Sequence, residues 1–208
     1  FEDHIGVSIE RREMENGVYQ TAFPTPFSDK YASIIGSYDA KMQDRTPIDD
    51  PNSGDWARGT FNFTDPQGNQ YSIEVKKTIP VGPHHTFLGG VVIDDLLHGK
   101  SSIGTRLMPT LYTYGAFWAI GDYEIRNKQG DLIYENSKRM FHVMITEDVR
   151  NENYELMIDS ELKREGVHTH LMIPPGTRTA FTLPNGENQP FVHVMYEDTK
   201  MKGTKVLR

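Results

Sequence analysis

Apolar and polar side chains alternate with a period of two over much of this chain, most cleanly between residues 61 and 76. Phe61 and Phe63 alternate with Asn62 and Thr64, and Tyr71, Ile73 and Val75 with Ser72, Glu74 and Lys76. Successive strand side chains point to opposite faces, so each run has one apolar and one wet side. Asp65-Pro66-Gln67-Gly68-Asn69 separates the runs, and its residue types favour a tight turn. The segment predicts an antiparallel hairpin buried on one side. A second hairpin is expected from 123–126 and 132–135, around Asn127-Lys128-Gln129-Gly130.

The same period predicts strands over 31–38, 140–146, 154–158, 167–173 and 191–196. The run 111–120 is apolar on both faces, with Tyr112, Tyr114 and Trp118 on one side and Leu111, Phe117 and Ala119 on the other, as a strand buried twice over requires. Residues 44–55 read as a loop, 94–102 as a short helical turn or loop, and Gly89-Gly90 as a bulge. In the first 30 residues, Phe23-Pro24-Thr25-Pro26-Phe27 excludes a helix interior, and residues 1–30 are expected to form an extended arm. Residues 199–208 read as a basic, frayed tail.

With eight to ten short strands, no long helix and 208 residues, the expected fold is all-β: one domain over 1–208, folded as a single antiparallel β-barrel. The general shape is lipocalin-like or cupin-like.

Three of the strands carry histidine and methionine at i, i+2 spacing: His142 with Met144, His168 with His170 and Met172, and His193 with Met195. Each set occupies one face, and the opposite face holds Phe141, Val143, Ile145, Leu171, Ile173, Val192 and Val194. Both faces are apolar enough to need cover, from a second layer, the N-terminal arm or another subunit. One reading is a ligand cavity lined by these imidazoles and thioethers together with Tyr112 and Tyr114. The other makes the β-branched face the main core, with His and Met filling a secondary one.

Imidazole and thioether are also transition-metal ligands. His168 and His170, completed by His193 or His142, would form a three-histidine site suited to zinc, and a thioether from Met144, Met172 or Met195 would shift the preference to copper. His168-Thr169-His170, followed by Pro174-Pro175-Gly176 and Phe181, resembles the His-x-His motif of cupins, a family of metal-binding β-barrels. The glutamate that follows His-x-His in that family is missing here and the Pro-Gly loop comes early, so none of the family's residues is carried over. His84 and His85 face opposite ways if extended, and His98 and His4 read as exposed. The pairs Asp94-Asp95, Glu147-Asp148 and Glu197-Asp198 read as solvated carboxylates at strand ends, and Arg106 as an anion contact or a surface ion pair.

Composition narrows the function classes. A formal charge of -7 without a basic stripe argues against nucleic acid or an anionic membrane and is compatible with a neutral or cationic small ligand. The absence of cysteine removes thiolate chemistry and disulfides. No apolar run reaches the length of a transmembrane segment, and no phosphate-loop, nucleophile-elbow or dinucleotide motif is present. A start at Phe1 suggests a removed leader, hence a periplasmic or secreted protein. The primary expectation is a barrel that binds a small apolar or aromatic molecule. The alternatives are a zinc- or copper-dependent enzyme or a metal-free isomerase or cyclase using pocket histidines, and an assembly module whose apolar faces are covered in a homo-oligomer.

Overall fold

The computed structural model describes residues 3–6, 12–15, 18–21, 31–45, 54–79, 90–101, 103–104, 108–153, 155–157, 161–173 and 192–202. Expectations placed on His84, His85, Arg106 and residues 174–186 lie outside these. The strands are β1 (Asp3–Gly6), β2 (Arg12–Glu15), β3 (Val18–Thr21), β4 (Tyr31–Gln43), β5 (Trp56–Thr64), β6 (Gln70–Thr78), β7 (Val91–Val92), β8 (Asp95–Leu97), β9 (Leu111–Arg126), β10 (Leu132–Thr146), β11 (His168–Ile173) and β12 (Val192–Tyr196), with one 3₁₀ turn over Gly99–Ser101. No helix among the described residues is long and apolar enough to cross a membrane.

The fold is an antiparallel β-barrel. Strands β4, β5, β6, β9, β10, β11 and β12 pair in series into a nearly closed sheet. The short β1 bridges the remaining gap, pairing with β12 on one side and β4 on the other. Part of the expected N-terminal arm is therefore built into the sheet, and β2 with β3 forms a separate two-stranded ribbon. The small β7 and β8 add to β9.

The bore is filled by one side of each long strand. Ile34 of β4, Phe61 and Phe63 of β5, Ile73 and Val75 of β6, Phe117 and Tyr123 of β9, Phe141 and Val143 of β10, Leu171 of β11 and Val194 and Tyr196 of β12 form one buried cluster. Because it draws on all seven strands, this cluster is the barrel interior, and the alternation seen in the sequence is its cause. Stacked rings occupy its centre: Phe63 on Tyr71 at 4.3 Å and Tyr38 on Phe61 at 5.5 Å between centroids. Each such ring contributes on the order of 2–3 kcal/mol by leaving water.

The first predicted hairpin is present as β5–β6, with Phe61 opposite Ile73 and Phe63 opposite Tyr71. Its turn is organised by the buried Asp65, whose carboxylate accepts from the Gln67 and Asn69 backbone N–H groups, the Asn69 amide and the Tyr71 hydroxyl. Gly68, at φ +87°, takes the left-handed position. The second hairpin is β9–β10, closed by Asn127 over Gln129 and Asp131.

Candidate functional site

The histidines and methionines of β10, β11 and β12 lie on one face, and that face is the outside of the barrel. Strand register arranges them as a grid. Trp118, His142, Met172 and His193 form one row, each opposite the next across a strand pair. Ala116, Met144, His170 and Met195 form the second, and Thr113, Thr146 and His168 the third. Val92, Leu97, Met108, Leu111, Val149 and Leu156 pack onto Met144, Met172 and Met195 as a second buried cluster separate from the bore. The segments around β8 and after β10 thus supply the outer cover that the doubly apolar strands require.

Hydrogen bonds fix the tautomers of the innermost rings. The Thr146 hydroxyl donates to the Glu147 carbonyl at 2.8 Å, so its one proton is used and it can only accept from His170 Nε2, 3.1 Å away. His170 Nδ1 is then the acceptor for His193 Nε2–H at 2.9 Å, and the two rings stack 6° from parallel. Burial, then the neighbouring His193, His168, Arg150 and His142, hold the His170 imidazole well below its ordinary pKa, so it is neutral. His142 bonds the Phe117 carbonyl through Nδ1 at 3.1 Å and stacks on Trp118 at 4.5 Å. Arg150 donates to the Met195 sulfur at 3.5 Å.

His168 leaves this group. Its Nε2 lies 2.9 Å from Asp148 and 3.1 Å from Glu197, while the His170 ring centre is 6.5 Å away. Among the described residues no three His, Asp or Glu side chains are placed so as to hold a metal ion. His170 and His193 are in direct contact, and His168 is committed to two carboxylates.

Sequence reasoning missed three residues of this layer. His98, expected at the surface, is 4% exposed and places Nε2 3.3 Å from the Met144 sulfur. It adopts φ +65°, held by backbone bonds from His98 to Ile103 and from Ser101 to His98. Glu147 is buried at 1%, its carboxylate taking the Tyr112 N–H at 2.7 Å, and Glu197 turns inward to His168. The His-Met alternation was the available signal: a second buried layer needs polar partners from whatever covers it.

Tyr112 and Tyr114 do not join the layer. An irregularity in the β9–β10 register between Ile145 and Thr146 puts Leu111, Thr113, Ala116 and Trp118 on the outer side. Trp118 therefore parts from the two tyrosines with which its spacing grouped it. Tyr112 bonds Asp94 through its hydroxyl at 2.8 Å. Tyr114 reaches the Gly166 carbonyl at 3.4 Å, its phenol pKa raised by partial burial and then by Glu147, Asp148 and Asp94.

Tyr114 instead lines a recess of about 520 Å³ with Tyr38, Ala40, Met42, Trp56, Ile93, Gly115 and Ile145. Tyr38, Ala40, Met42 and Ile93 also pack on the bore cluster, and Ile145 shares the bore parity of Phe141 and Val143, so among the described residues the recess continues one end of the bore. Below it the Tyr38 hydroxyl meets Thr169 at 2.7 Å and Thr199 at 3.0 Å, and from there on its ring packs against Phe61, stacked, and Tyr196, tilted. Trp56 is held by Gln43 at 2.7 Å.

No protein family, curated protein or solved structure matches this chain, so its chemistry rests on these two features, the recess and the sealed imidazole layer.

Proposed function

We propose that this protein binds a small, largely apolar molecule in the open end of its barrel. The carrying observation is the recess of about 520 Å³ that continues the bore, within the ~300–1,000 Å³ usual for small-molecule sites. The apolar and aromatic side chains of Tyr38, Ala40, Met42, Ile93 and Ile145 suit such a ligand, and Lys41, Gln43, Asp44, Thr199, Lys200 and Lys202 line the same recess. A recess of similar size, about 500 Å³, is walled by Asp148, Arg150, Glu152, Glu161, Lys163 and Glu165 and would disfavour apolar matter. Another runs along the outside of the sheet beside Ile35 and Arg126.

In this reading the outer histidines serve the scaffold. His170 and His193 satisfy one another in a sealed layer, which fixes how β10, β11 and β12 pack and hence the shape of the bore they wall. The test is binding of a neutral apolar fluorophore, N-phenyl-1-naphthylamine, to the wild type and to Ile145→Trp, which fills the recess. Binding should weaken at least tenfold in the variant. Equal affinities would overturn the proposal.

A further inference from the structure

We infer that the molecule held in the barrel end is an anionic amphiphile, a carboxylate-headed hydrocarbon chain, with its tail in the recess against Tyr38, Met42, Ile93 and Ile145 and its head among Lys41, Lys200 and Lys202. The inference rests on the binding reading above and adds the ligand's charge. The chain carries a formal -7, yet among the described residues the recess is bordered by three lysines and one carboxylate, that of Asp44. A head group docked beside Lys41, Lys200 and Lys202 would meet three ammonium groups at close range, and it is such near charges that it senses most strongly.

The lysines are available for this. Lys200 has Asp198 at 3.5 Å in an exposed pair, whereas Lys41 and Lys202 make no ion pair among the described residues. The Arg58 guanidinium, 4.6 Å from the Trp56 ring centre, sets a fourth cation beside the lining. Long aliphatic stems let lysine cover apolar surface while the ammonium stays in water, which places the charges at the rim and the tail-binding walls below them. Tyr38, Ala40, Met42, Ile93 and Ile145 offer those walls no formal charge.

The test uses Trp118→Phe, which leaves Trp56 of the chain's two tryptophans as reporter at the edge of the recess, titrated with dodecanoate, dodecanol and dodecylammonium below their aggregation limits. Dodecanoate should bind about tenfold tighter than dodecanol, equivalent to about 1.4 kcal/mol. The preference should shrink in high salt and vanish in Lys41→Gln/Lys200→Gln/Lys202→Gln. Should that variant fold poorly, Lys41→Gln alone should lower dodecanoate affinity about two- to threefold and leave dodecanol unchanged. Calorimetry on the wild type gives the same ratio without the tryptophan change. Equal affinities for acid and alcohol, or tighter binding of the ammonium, would overturn this inference and leave the bore as a binding site. No binding of any of the three would remove both.

Discussion

His170 makes stability depend on pH in a way that can be worked out before measurement. The ring is 1% exposed, its Nε2–H is given to Thr146 and its Nδ1 accepts from His193. A second proton would have to sit on Nδ1, facing the His193 N–H, with His168, His142 and Arg150 close enough to oppose the charge. The folded pKa therefore lies well below that of the unfolded chain, near 6.5. Above pH ~6.5 neither state binds the proton. Below it the unfolded state takes up one that the folded state refuses, so stability falls as pH falls, by about 1.4 kcal/mol per pH unit, until the folded pKa is reached. Between pH 6.5 and 5.0 the loss from this one ring is at most about 2 kcal/mol. Urea unfolding at pH 7.5, 6.0 and 5.0, on the wild type and on His170→Gln, isolates the effect. Glutamine keeps a donor for Thr146 but does not titrate. The wild type should lose more than the variant over that interval, by up to about 2 kcal/mol. Parallel stability profiles would refute the assignment of a neutral, sealed His170.

Other perturbations follow from the same structure. A Cβ at Gly121 would fall on the Glu74 carbonyl of β6, a backbone group that cannot step aside, so Gly121→Ala should cost about 2–3 kcal/mol in chemical denaturation. Asp65→Ala leaves the four donors of the β5–β6 turn without their acceptor and should cost a similar ~2–3 kcal/mol. At Gly115 an added Cβ would meet the Met42 sulfur, the mobile end of a flexible side chain. Gly115→Ala should therefore change unfolding free energy by less than ~1 kcal/mol while lowering affinity for an apolar fluorophore in a binding titration, as Met42 is pushed across the recess.

The fold was legible where alternation and turn chemistry agreed. Phe61, Phe63, Tyr71, Ile73 and Val75 point into the bore as their period required, and Asp65 and Gly68 close the turn between them. The His-Met face was legible as a shared, buried face, but periodicity is silent on which side of a doubly apolar strand becomes the interior of a barrel. Here the aromatic and β-branched side fills the bore, and the longer, more adaptable methionines meet an irregular outer cover. Tyr112 and Tyr114 separated from Trp118 because one irregularity in the strand register exchanges faces. Burial of His98 and Glu147 and the inward turn of Glu197 were hidden because their partners are distant in sequence: His98 meets Met144 and Glu197 meets His168 only once the barrel has formed.

Methionine methyl resonances offer the most direct measurement, since the nine methionines include reporters of both regions. Met42 lines the recess, while Met144, Met172 and Met195 lie in the outer layer. On titration of methyl-labelled protein with dodecanoate, the Met42 signal should shift in a saturable way and the three outer-layer signals should stay in place. Shifts confined to Met144, Met172 and Met195, with Met42 unmoved, would contradict the account and put the ligand among the imidazoles.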